Sequence, residues 1–151
     1  DGAADLVYTG RGALCWLMDL EAWARVVARL LAPGGRLYVF EGHPLAWIFD
    51  VEAAEIRLDP VYGNYFAEKV DVGVGWPGTY IGELDRPKQE LTPKYERQWT
   101  LGQIINPLIE AGLRLERFEE HPDPYWEQFP HMPEEIARRV PQTFSLLMRK
   151  E

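Results

Sequence analysis

The sequence predicts an α/β fold in one domain spanning residues 1–151: a mainly parallel sheet, closed by antiparallel strands at its carboxy-terminal end, with a lid-like region inserted at 44–98. Three observations predict it. A strand, helix and strand succeed one another within residues 5–41. Residues 44–98 then carry no long helical stripe. A capped helix followed by two strands fills residues 100–149.

The first strand is the apolar run at 5–9, DLVYT, which stops at Gly10, with Gly12 shortly after. A helix is expected over 19–32. Asp19 is its N-cap, and Leu20, Trp23, Val27, Leu30 and Leu31 recur on one apolar stripe. Pro33, Gly34 and Gly35 end it, because proline cannot continue a helix and glycine accepts the left-handed conformation that follows one. The run 36–41, RLYVFE, reads as a second strand buried on both faces. Strand, helix, strand at this spacing is a right-handed crossover between parallel strands.

Residues 44–99 are rich in aromatics, glycine and proline, and a small antiparallel excursion is expected there, with strands near 78–83 and 94–99. Thr100 and Gln103 form a T-x-x-Q capping box that starts a helix with Ile104, Ile105, Leu108 and Ile109 on its apolar face. Gly112 stops that helix, and Pro107 inside it removes a backbone hydrogen bond at a cost of about 3 kcal/mol if nothing compensates. Residues 113–120 alternate as a half-buried strand. Residues 121–141 read as a proline-rich loop with a short helix at 133–139, and 143–149 as the last strand.

Composition sets outer bounds. The chain has 151 residues, 46% hydrophobic and 26% charged, enough for a real core. Its net charge of −8 disfavours nucleic acid as a partner, because an acidic surface repels phosphate. No run approaches the ~20 apolar residues of a membrane helix. The single cysteine, Cys15, excludes an intrachain disulfide, fits a cytoplasmic location, and reads as a small buried apolar residue. The histidines and carboxylates at 119–131 match no metal-ligand spacing, so no metal is expected.

The ordered pieces resemble a known family. The segment from Asp5 and Val7, through Leu31, Pro33, Gly34 and Gly35, to Glu41 is similar to the fourth-to-fifth-strand segment of class I S-adenosylmethionine-dependent methyltransferases. Leu108–Leu113, LIEAGL, resembles the family's helix before its sixth strand, and TFSLLMRK its seventh strand. The resemblance implies a partial Rossmann-like methyltransferase fold from the fourth strand onward. It also implies S-adenosylmethionine as cofactor and methyl transfer to a small-molecule acceptor. The family's glycine-rich cofactor turn, which follows its first strand, has no counterpart in this sequence. The expected partners are therefore the amino-terminal half of the fold, or a second copy pairing through strand 5–9, and the chain start is read as a cut within a longer fold. The alternative is a non-catalytic binding or oligomerisation module that lacks the cofactor site.

Ligands of open α/β sheets sit beyond the carboxyl ends of the strands. The cofactor-binding candidates are therefore Tyr8, Thr9, Gly10, Arg11, Gly12 and Trp16, against the alternative of a plain turn. Glu41 and His43 are the catalytic candidates, because a histidine titrates near neutrality and suits general-base work. Trp47, Trp76, Tyr80, Tyr95 and Trp99 are the substrate-binding candidates, as an aromatic lid whose faces also suit a sulfonium charge. The competing reading of these rings is a small satellite core under long loops.

Overall fold

The computed structural model describes residues 1–68, 70–74 and 92–151. Strand β1 (Ala4–Gly10) leads through a 3-10 turn (Leu14–Trp16) to helix α1 (Leu20–Leu30), and the chain returns as β2 (Leu31–Gly42). A second 3-10 turn (Pro44–Ile48) opens the inserted region, which contains β3 (Val70–Val74) and β4 (Pro93–Arg97). Helix α2 (Leu101–Glu110), β5 (Leu113–His121), a short α3 (Glu134–Ala137) and β6 (Thr143–Lys150) complete the chain.

The capping signals act where the sequence puts them, but α1 ends at Leu30, two residues short of the expected end, because Leu31 is already extended and opens β2. Asp19 caps α1 by accepting a hydrogen bond from the Ala22 N–H at 2.8 Å. Both halves of the capping box on α2 form: Gln103 N–H donates to Thr100 Oγ1, and Thr100 N–H donates to Gln103 Oε1. Such a cap is worth about 1 kcal/mol. After α1 the chain turns at Gly34, whose φ of +80° suits glycine. At Gly35 an added Cβ would lie 2.8 Å from the Ala4 carbonyl oxygen, so a bare backbone lets β2 approach β1.

The main sheet has the order β1-β2-β6-β5, and a separate hairpin pairs β3 with β4. Only β1 and β2 run parallel; β6 is antiparallel to both its neighbours. The sheet is therefore mixed rather than mainly parallel. The reason is connectivity. One helical crossover makes one parallel pair, whereas β6 enters between β2 and β5 and opposes both. Strand β3, in the run VDVGV, is an element the sequence reading did not anticipate, and β4 starts at Pro93. The strand expected at 78–83 lies outside the described residues.

The two faces of the sheet differ. Leu37 and Val39 of β2 and Phe144, Leu146 and Met148 of β6 point to one side, where Leu20, Ala24 and Val27 of α1 and Ile104 and Leu108 of α2 bury them. On the opposite face, Leu6 (62% exposed), Tyr8 (53%) and Tyr38 stand in the open. The rings of Tyr8 and Tyr38, paired across the strands, stack with centroids 6.1 Å apart. A satellite cluster of Ala46, Ile48, Phe49, Phe129 and Met132 lies beneath the inserted region and the 122–142 connection. Among the described residues no helix is long and apolar enough to cross a membrane.

This asymmetry has a measurable outcome. Leu146→Ala empties a fully buried site and should lower the unfolding free energy by about 2–5 kcal/mol in urea titration. Leu6→Ser should change it by no more than about 0.5 kcal/mol in the isolated chain. A loss from Leu6→Ser as large as that from Leu146→Ala would mean that another surface covers this face.

Candidate functional site

The parallel pair β1–β2 delivers two loops to the same end of the sheet, and the Glu41 side chain ties them together. Its carboxylate accepts hydrogen bonds from three successive backbone N–H groups: Gly12 at 2.6 Å, Ala13 at 2.8 Å and Leu14 at 3.1 Å. The loop can aim them because Arg11 and Gly12 adopt positive φ, +61° and +91°. Consecutive turn residues of this kind gather N–H groups into an anion-binding concavity. For Arg11, a non-glycine residue, this conformation costs about 1–2 kcal/mol, and the charge-assisted hydrogen bonds offset it. Glu41 is only 4% exposed.

His43 is held as firmly. Its Nδ1 accepts the Leu45 N–H at 3.1 Å, which leaves Nε2 to donate to Glu120 Oε1 at 2.9 Å. Burial pushes its pKa below the usual histidine range, against the opposing pull of Glu120. His43 therefore caps the turn at Pro44–Ile48 and presents no free proton acceptor. The two catalytic candidates are brought to the same strand end, but both have their acceptors occupied by the protein itself.

Between these loops lies a small open cleft, with a volume of about 40 Å³, lined by Gly12, Leu14, Cys15, Glu41, Gly42, Pro44, Trp47, Arg97, Gln98, Trp99, Ile104, Tyr125 and Phe144. Of the aromatic candidates, Trp47 and Trp99 reach it. Trp99 is fixed by an indole hydrogen bond to the Leu17 carbonyl at 3.0 Å. Tyr95 is exposed and does not line the cleft; Trp76 and Tyr80 lie outside the described residues. Of the cofactor candidates, Gly12 lines the cleft. Gly10 sits against the Phe40 carbonyl, where an added Cβ would be 2.5 Å from that oxygen. Arg11 points outward with its guanidinium carbon 6.0 Å from the Tyr125 ring centre. Thr9 is half-buried next to the open-face Tyr8. Trp16 turns away, its ring 5.3 Å from Lys94 Nζ.

Sequence reasoning missed Arg97 and Tyr125, which enter the cleft from the inserted hairpin and from the 122–142 connection. No local signal marks either one; only the tertiary fold brings them to the end of the parallel pair. Cys15 also lines the cleft. Burial, with Glu96 and Glu41 nearby, pushes its thiol up to about 12. A thiol raised that far carries little thiolate near neutral pH. Among the described residues, no three His, Cys, Asp or Glu side chains are grouped to hold a metal ion.

Comparison with known proteins identifies the architecture. A protein from Listeria monocytogenes assigned as an S-adenosylmethionine-dependent methyltransferase superposes with a TM-score of 0.65 at 16% identity, over 99% of this chain and 62% of that one. An S-adenosylmethionine-dependent methyltransferase from Mesorhizobium loti gives 0.63 at 22% identity, with the same coverage. The glycopeptide N-methyltransferase MtfA in complex with S-adenosylmethionine gives 0.52 at 12% identity, over 100% of this chain and 55% of that one. No protein-family model matches the chain, and no curated protein matches its sequence. At these identities the likeness is one of fold: the chain has the architecture of part of a class I methyltransferase. It spans about three fifths of the length of the first two of these structures.

Two outcomes follow from the clamp. Glu41→Gln replaces one oxygen with an N–H₂ group that faces backbone donors, so it should destabilise the chain by about 2–3 kcal/mol and remove hydrogen-exchange protection at Gly12–Leu14. Unchanged protection would show that the loop holds without the carboxylate. For His43, the unfolded chain takes up a proton first as pH falls, because the folded pKa is depressed. Its contribution to stability is complete above about pH 6.5 and is lost as pH falls through the folded value. His43→Asn keeps an oxygen to cap Leu45 but cannot titrate. In urea midpoints measured against pH, it should remove the step just below pH 6.5 and leave the carboxylate losses below about pH 4.5.

Proposed function

We propose that this chain supplies the acceptor side of an S-adenosylmethionine-dependent methyltransferase that acts on a small molecule. The remainder of the fold pairs along the edge of β1 that is unpaired among the described residues, from an upstream segment or from a second copy. The observation that carries this reading is the cleft at the carboxyl ends of β1 and β2, where open α/β sheets bind ligands. The partial methyltransferase architecture supports it.

S-adenosylmethionine, when bound, supplies the activated methyl group. The residues here fit one wall of its site. The backbone is open at Gly12, where an added Cβ would meet only the Tyr125 hydroxyl at 3.6 Å, whereas the space beside Gly10 is taken by the Phe40 carbonyl and the Tyr8 phenol. Thr9 and Arg11 flank that wall. The amides of Gly12–Leu14 are already satisfied by Glu41, so they are not the cofactor's anion site. Trp16 is turned away from the cleft and is not part of this wall.

Methyl transfer is an in-line displacement, and orienting the two reactants can supply much of the acceleration. Trp47, Trp99, Tyr125 and Phe144 would hold the acceptor and exclude water. Glu41 and His43 act as positioning residues in this reading. Glu41 fixes the loop after β1, and His43 fixes the turn that carries Trp47. Neither is asked to take a proton.

Calorimetry with S-adenosylmethionine tests the proposal. The 151-residue chain alone should give no measurable binding heat. A chain extended upstream by about one hundred residues of its own coding sequence should bind one equivalent. An extended, folded protein that binds none would favour the non-catalytic module instead.

A further inference from the structure

We propose that the cleft takes an acceptor that carries an anionic group, a carboxylate on an apolar or aromatic body, with Arg97 as its anchor. This rests on the cleft being the acceptor site of the reading above, and it adds the chemistry of what binds.

Most polar groups in the cleft wall are already used. Both Glu41 oxygens hold backbone amides, Gln98 Nε2 donates to the Pro44 carbonyl, and the Cys15 thiol donates to the Gly12 carbonyl. Arg97 differs. Its Nε is buried and, among the described residues, has no hydrogen-bond partner. Among the described residues its one ionic neighbour is Glu68, whose oxygen lies 3.9 Å from Nη2, too far for a hydrogen bond, on a side chain that is itself 75% exposed. The guanidinium carbon sits 3.9 Å from the centre of the Trp99 ring. The Leu17 hydrogen bond fixes that ring in turn.

A guanidinium stacked on an anchored indole keeps its plane and its fork of donors in place. That is the arrangement that receives a carboxylate through two parallel hydrogen bonds. The buried open group on this wall is therefore a donor. A buried donor without an acceptor is unfavourable until a ligand supplies one. The rest of the wall is largely apolar, through Leu14, Ile104, Tyr125 and Phe144, and suits the ring of a small molecule.

Long-range electrostatics would give the opposite preference. A chain with net charge −8 attracts cations. A preference for the anion must therefore come from a local group.

The test compares phenylacetate, 2-phenylacetamide and phenethylamine, which share one ring and differ in charge, by NMR titration of the 15N-labelled full chain without cofactor. Phenylacetate should bind saturably and at least tenfold more tightly than the other two, and it should move the Arg97 Nε–Hε resonance. Arg97→Gln should weaken phenylacetate at least tenfold and leave the amide within twofold; Arg97→Lys should recover only part of the loss. Equal affinities, a preference for the amine, no saturable binding of phenylacetate, or a ranking unchanged in Arg97→Gln would each overturn the proposal. The wild-type ranking and the Arg97 resonance decide the matter even if the Gln variant does not fold. Because no cofactor is present, the two readings fail separately. Binding through Arg97 in a protein whose extended form ignores S-adenosylmethionine would keep this site and remove the methyl-transfer reading.

Discussion

The carboxylate of Glu41, held by the amides of Gly12, Ala13 and Leu14, is the constraint on which the rest of the site depends. Parallel strands place their carboxyl ends side by side, but they do not fix the loops that leave them. Here one side chain from β2 closes the loop that leaves β1. The turn at Leu14–Trp16 is then set, and with it the carbonyl of Leu17 that holds Trp99. Trp99 in turn supports Arg97. A short chain of contacts thus runs from the sheet to the inserted hairpin, and each link is a hydrogen bond or a ring contact rather than bulk burial.

The two faces of the sheet are unequal: one is sealed and the other open. The face under α1 and α2 carries the sealed apolar core, which is where the fold gains its cooperativity. The opposite face shows stacked tyrosines and an exposed leucine, and β1 has an unpaired edge within the described residues. Exposed edges of this kind favour pairing with another strand. Mixed strand direction follows from the same economy of connections: one crossover, then antiparallel closure by β6.

The elements legible in the sequence are those written locally. The N-cap at Asp19 and the Thr100–Gln103 capping box each act within one turn of chain and form as read, whereas α1 stops at Leu30, ahead of Pro33-Gly34-Gly35, because Leu31 already joins β2 and pairs with Ala4. The closing antiparallel pair was legible from strand alternation; the balance of parallel and antiparallel neighbours was not, because it depends on where β6 inserts. Strand β3 escaped notice because five residues that include a glycine give little periodicity. At the site, Glu41 and His43 stood out by type and position, whereas their tasks depended on partners far along the chain: loop amides 27–29 residues away for Glu41, and Glu120 for His43. In sequence Arg97 is an ordinary strand residue; the fold sets its guanidinium on Trp99 and, among the described residues, leaves its Nε without an acceptor.

The chain's one thiol lies within the loop that Glu41 closes. Cys15 donates to the Gly12 carbonyl and is surrounded by carboxylates and apolar wall, so it stays protonated far above neutrality. Oxidants and electrophiles react with thiolates, not with such a group. Its chemical inertness is a property of the closed loop rather than of cysteine. Whenever the loop detaches from Glu41, the sulfur regains ordinary reactivity, so the lifetime of this single residue in a mildly oxidising solution records how often the mouth of the cleft comes apart.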